Sequence, residues 1–177
     1  MYLSTFAFLE HRFGPDAKGA VLARLDDADR ALLSGLLLPF SWYPLPPFGR
    51  LLRAMEGEFG RGDYALVTER GVWTATRDLH TLRKAILKLV TVPWIITKSG
   101  SLWPQFHDTG RWVIQKTADD QARAELRDFG VVAAVCASIR GWIIGLAMLT
   151  KPRKVDVRHT ACRAKGDAVC AYEVRWA

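Results

Sequence analysis

Cysteine is scarce in this chain, with three residues in 177. So small and odd a number is a poor disulfide framework, and the expectation is a cytoplasmic protein with reduced thiols that share some other task. Long charge runs are missing too. Lys and Arg outnumber Asp and Glu by 25 to 18, a net +7, yet no five like charges follow one another. Short basic groups at Arg83, Lys84 and Lys88 and at Lys151, Arg153 and Lys154 read as solvated faces, which weighs against specific nucleic-acid readout. No internal repeat suggests a solenoid. Gly60 and Gly62 lack the lysine and hydroxyl of a phosphate loop, and no nicotinamide or flavin fingerprint occurs. Met1 to Phe13, with Glu10, His11 and Arg12 after a short apolar stretch, has no basic leader followed by a cleavage site. The one long apolar run, Val131 to Leu149, carries Arg140 near its middle, where a lipid-facing charge costs about 2.5 to 3.5 kcal/mol. Gly141, Gly145 and Cys136 suit packing against protein, so this run is expected to be a core helix and not a membrane span.

What the chain does contain is a globular composition. Half of its residues are apolar, 24% are charged and seven are tryptophan, enough for one domain spanning residues 1–177 with a real core. Periodicity predicts a helix capped by Ser4 and ending before Gly14 and Pro15, another over Asp16 to Leu25, and a third capped by Asp26 or Asp27. Four prolines between Leu38 and Pro47 predict an aromatic-rich loop there, followed by a helix from Phe48 to Phe59. Asp63 opens a further helical stretch reaching Trp73, Leu79 to Val90 continues the pattern, and after Pro93 a last stretch runs through Trp94, Ile95 and Trp103 to Phe106. From Gly110 the texture changes. Arg111 to Thr117 and Arg123 to Phe129 read as strands, the apolar helix follows, and Val155 to Thr160 and Val169 to Trp176 alternate as a hairpin. The fold class is therefore α+β: a helical N-terminal layer on a small antiparallel sheet from the C-terminal part, with one long apolar helix before the final hairpin.

The residues that carry chemistry sit near the end. A hairpin around Arg163 to Val169, with Gly166 and Asp167 at its turn, brings Cys162 opposite Cys170. His159 lies three residues before Cys162. On a regular strand those two face opposite sides, so a shared site requires a kink or bulge. Cys136 belongs to the apolar helix. Three Cys and one His form a closed tetrahedral zinc set. The spacing alone does not compel a metal, and favours Cys136 as a small core residue and Cys162 and Cys170 as half-buried hairpin residues.

The ending His159-x-x-Cys162-x7-Cys170, followed by Tyr172, Val174 and Trp176, resembles the signature of the 4-vinyl reductase domain family, a small-molecule-binding module related to the haem-NO-binding and Bet3 vesicle-tethering folds. The resemblance covers most of the chain. In the phenol-sensing transcription activators that carry this domain, zinc is held by a helix Cys, an acidic residue and two Cys near the hairpin. Those separations match Cys136, His159, Cys162 and Cys170, with imidazole standing where the family has a carboxylate. The resemblance thus implies structural zinc. The stretch from His11 to Gly14, together with Ser41 to Pro44, also resembles an uncharacterised family of short bacterial proteins with this domain, which supplies a fold and no activity.

Such a domain would bind a small hydrophobic or aromatic ligand between helices and sheet, and the candidate wall is Trp103, Phe106, His107 and Trp112. No acid/base pair is recognisable and a four-ligand zinc has no open position, so no enzyme is expected. A sensory or regulatory domain would act through a homodimer or a partner protein. One alternative is a Bet3-like interaction module using Trp42 and Tyr43 as surface anchors. Another is a haem-binding or tetrapyrrole-related enzyme, with His80 or His107 as the axial ligand of the haem. His11 has no neighbour that marks a catalytic or metal role.

Overall fold

A computed structural model describes residues 1–39, 41–80 and 91–177. Its helices are α1 (Tyr2–Phe13), α2 (Ala17–Ala23), α3 (Asp27–Ser34), α4 (Leu45–Phe59), α5 (Ala65–His80), α6 (Val92–Leu102) and α7 (Ala133–Met148); its strands are β1 (Arg111–Ala118), β2 (Gln121–Arg127), β3 (Val155–Ala161) and β4 (Cys170–Trp176). The class is α+β, with helices first and the sheet in the C-terminal part. The run expected from Leu79 to Val90 lies, beyond His80, outside the described residues, as do Arg83, Lys84 and Lys88.

Local chemistry explains the boundaries. The Asp26 carboxylate caps α3 by accepting the Asp29 N–H at 2.8 Å, and Asp63 accepts the Ala65 N–H at the start of α5. Ser4 is not a cap, because α1 already starts at Tyr2. The proline-rich segment also differs from expectation. Helix α4 begins at Leu45 and takes Pro46 and Pro47 into its first turn, where no N–H is needed and a fixed φ favours the helix. Pro93 enters α6 in the same way, behind a Thr91 cap.

Helix α7 is the hub of the molecule. One flank packs on α5, where glycines bring the two backbones together: a Cβ on Gly141 would lie 2.0 Å from the Thr68 carbonyl oxygen, and one on Gly71 2.4 Å from that of Ser138. Another flank meets β3, where the Arg140 guanidinium donates to the Val157 carbonyl at 2.8 Å. Arg140 is solvent-exposed, so the helix is buried on most of its circumference and not all of it. No helix among the described residues is long and apolar enough to cross a membrane.

The four strands lie in the order β1-β2-β4-β3, each pair antiparallel. Ala122, Ala124 and Leu126 of β2, Tyr172 and Val174 of β4 and Val157 of β3 are buried. The opposite face carries an ionic lattice in which Arg123 pairs with Glu125 and Glu173, and Arg127 with Glu125. This alternation is the period-2 pattern of a sheet covered on one side. In the β3–β4 ladder His159 pairs with Tyr172 but Ala161 pairs with Ala171, so the register slips at Thr160.

Candidate metal centre

The register slip at Thr160 supplies the bulge that a shared site demands. One extra residue on β3 re-aims the strand, and His159 and Cys162 end on the same side. Beyond Ala161 the chain tightens into a short 3-10 turn over Arg163–Lys165, closed by Gly166 in the left-handed conformation at φ 99°. Asp167 folds back so that its carboxylate accepts the Cys162 N–H at 2.6 Å. The Arg163 N–H points at the Cys170 sulfur, 3.4 Å away. Cys136 reaches the same point from the first turn of α7.

These elements bring Cys136, His159, Cys162 and Cys170 together, with one donor atom of each residue within 4.8 Å of all the others. The Cys136 sulfur lies 3.7 Å from that of Cys162 and 3.8 Å from that of Cys170. Two thiolates held tetrahedrally at about 2.3 Å from one ion would be about 3.8 Å apart. The three thiols are free and buried. His159 Nε2 is buried with no hydrogen-bond partner among the described residues, a ring nitrogen that a bound ion would satisfy. Electrostatics agree. A hydrogen bond from Cys136, reinforced by the His159 imidazole, pulls the Cys170 thiol below its ordinary range. Cys136, bonded to Cys170 and buried, is pushed up. A group that concentrates thiolate charge out of water could hold a metal cation.

Tyr172, to which the sequence reading gave no role, braces two of these residues. It is fully buried, stacks on His159 at 4.6 Å and 13°, and donates its hydroxyl to the Cys136 carbonyl at 3.2 Å. The signal was legible, since Cys170, Tyr172 and Val174 alternate onto one strand face.

Three of the four candidate ligand-wall residues converge. Trp103 stacks on His107 at 4.0 Å and on Trp112 at 5.6 Å, with Phe129, which the sequence reading passed over, set edge-on to Trp103 and His107. Burial pushes His107 down to about 4, so its ring is neutral at pH 7. Phe106 is 55% exposed and stands apart. It follows the end of the 3-10 turn over Trp103–Gln105, which turns Trp103 inward and leaves Phe106 outside.

Searches against family models and against curated proteins find no match. Solved structures do match, and they define the fold as that of haem-NO-binding (H-NOX) domains. The chain aligns over 99% of its length, and 97% of the other, with an H-NOX protein of S. oneidensis in the Fe(II)NO state, at 10% identity and a TM-score of 0.76. An oxygen-binding H-NOX domain related to soluble guanylate cyclases, in its oxygen complex, aligns over 98% of this chain and 91% of that one at 11% identity and 0.69. A structure probing haem distortion in the H-NOX family aligns over 98% and 90% at 13% and 0.71.

Haem needs an axial donor beside a slot wide enough for a porphyrin. Among the described residues His11 is stacked on Trp73, His107 is packed between Trp103 and Phe129, and His159 belongs to the thiol group. The side chain of His80 lies outside those described. A cleft of about 380 Å³ lined by described residues sits between α2 and α4, and its lining contains no histidine or cysteine. Among the described residues, Cys136, His159, Cys162 and Cys170 form the donor set that could hold a metal ion.

Proposed function

We propose that this chain is a sensory or regulatory domain of the 4-vinyl reductase type, in which zinc held by Cys136, His159, Cys162 and Cys170 clamps α7 to the β3–β4 hairpin. The observation that carries the reading is the convergence of three thiols and one imidazole within 4.8 Å of one another, with two of the sulfur–sulfur distances at the tetrahedral value. Zinc there would be structural: it would hold three segments distant in sequence and would offer no open position for a substrate. The ligand half of the reading is supported by the H-NOX fold and by the stacked Trp103, His107 and Trp112, against which a small hydrophobic or aromatic compound would lie.

Elemental analysis of purified protein is expected to give about one zinc per chain, and cobalt substitution the absorption of a tetrahedral thiolate site. Cys162→Ser with Cys170→Ser is expected to abolish metal binding and lower the Tm by more than about 10 °C, since binding free energy at such a site is folding free energy. Less than about half a metal per chain, together with an unchanged Tm in the double variant, would sink the reading. A Soret band after haem reconstitution would favour the haem alternative instead.

A second reading rests on a different observation. Leu36, Leu38 and Trp42 are 87%, 52% and 62% exposed between α3 and α4. Such side chains suit a Bet3-like docking surface or a homodimer contact. Light scattering that stays monomeric across the accessible concentration range would remove the homodimer.

A further inference from the structure

Tyr172 does more than brace two sulfur- and nitrogen-bearing residues. On the side away from His159 its ring meets Trp112 at 5.8 Å. Trp112 stacks on Trp103 at 5.6 Å with planes 10° apart, and Trp103 stacks on His107 at 4.0 Å. Five rings thus run without a break from the candidate metal ligand His159 to the turn that follows α6. Polar contacts tie the far end of this row to its surroundings. The Trp112 indole N–H donates to Ser99 Oγ at 3.2 Å, and the Trp103 indole N–H to the Thr109 carbonyl at 3.0 Å, which closes the 103–109 turn. Gly100 lies against the Trp112 carbonyl, where an added Cβ would come within 3.2 Å. Packed rings cannot slide independently, because close-packed interiors shift between discrete arrangements.

We propose that metal occupancy at Cys136, His159, Cys162 and Cys170 sets the order of the 99–110 segment, through Tyr172 and Trp112. The proposal rests on the metal reading above. With the ion bound, His159 is fixed and offers Tyr172 a rigid stacking surface, while the Tyr172 hydroxyl stays on Cys136. Without it, His159 and the first turn of α7 lose their common anchor, the Tyr172 ring tilts, and Trp112 lets go of Ser99 and Trp103. The segment at the outer end of the row is then a metal-responsive surface, and Tyr172 and Trp112 are positioning residues between the two.

Hydrogen exchange of the full chain, zinc-loaded and chelator-stripped, tests this. Stripping is expected to speed exchange over 99–110 about tenfold while residues 17–34, far from the row, change less than about twofold. Trp112→Leu is expected to keep one zinc per chain with affinity within about threefold and to exchange rapidly over 99–110 whether loaded or stripped. His107→Ala, at the end of the row, is expected to keep the metal dependence of residues 99–103. Stoichiometric zinc with no difference over 99–110 overturns this inference and leaves the metal reading intact. So does equal acceleration along the whole chain, or a Trp112→Leu variant that loses its zinc. Absence of bound zinc overturns both.

Discussion

The same substitution, glycine to alanine, should act with opposite sign at two positions of this chain. At Gly141 the new methyl would sit 2.0 Å from the Thr68 carbonyl oxygen, 2.9 Å from its carbon and 3.0 Å from the Gly71 Cα. Ordinary contact begins near 3.4 Å, so α5 and α7 must part by about an ångström or more. The obstacle is backbone on a facing helix and cannot rotate away. Overpacking of a core costs about 1 to 3 kcal/mol, and a backbone clash falls at the upper end, so Gly141→Ala should lose about 3 kcal/mol. For a chain of this size that is a drop in Tm of about 6 to 12 °C. At Gly19, inside α2, a Cβ meets nothing within 4 Å. There Gly19→Ala should gain about 0.5 to 1 kcal/mol by restricting the unfolded chain and favouring the helix. Urea unfolding of both variants beside the parent protein measures the pair. A Gly141→Ala stability within about 0.5 kcal/mol of the parent would refute the close approach of α5 and α7.

Acid should destabilise the fold in two windows. His107 is pushed down to about 4 by burial, so the unfolded chain binds the extra proton first; its contribution is complete above about pH 6.5 and is lost as pH falls toward about 4. The ring is only partly buried, which limits the loss to about 1 to 2 kcal/mol, and His107→Phe should flatten that part of a pH–Tm curve. Asp29, buried and held below the usual carboxylate range by the hydrogen bond from Arg50, contributes fully above its unfolded pKa and is lost at lower pH, as the folded carboxyl is protonated. Asp29→Asn should cost about 1 to 2 kcal/mol at pH 7, because Arg50 is partly exposed and can rehydrate, and should reduce the loss in the lower window, where Glu125 and Asp119 still titrate.

How much of this was legible beforehand depended on the range of the forces involved. Alternation and turn chemistry are local, so the strands and the Asp26 cap could be read from neighbouring residues. The three cysteines and His159 were legible as a set through the ending His159-x-x-Cys162-x7-Cys170 and the family it resembles, and the need for a bulge followed from strand periodicity alone. What the sequence concealed depends on contacts between distant segments. Pro46 and Pro47 look like breakers until they occupy a first helical turn. Tyr172 gains its place between His159 and Trp112 only when β4 lies between β2 and β3. Phe106 and Trp103 have similar apolar character, and only the path of the chain after α6 buries one and exposes the other.

The slip at Thr160 has a consequence for how such a centre can change. It lies on β3, an edge strand that among the described strands pairs only with β4, so loss or gain of one residue there would disturb a single ladder and leave the core in place. Removing that residue would restore a regular register and leave the imidazole and the Cys162 thiol two residues apart, on the same face of the strand, so the four side chains would stay together. Straightening the ladder with the residue kept would instead put His159 and Cys162 on opposite faces, and the four side chains would no longer meet. The slip is therefore what lets a three-residue spacing place two donors as a two-residue spacing would on an unbroken strand.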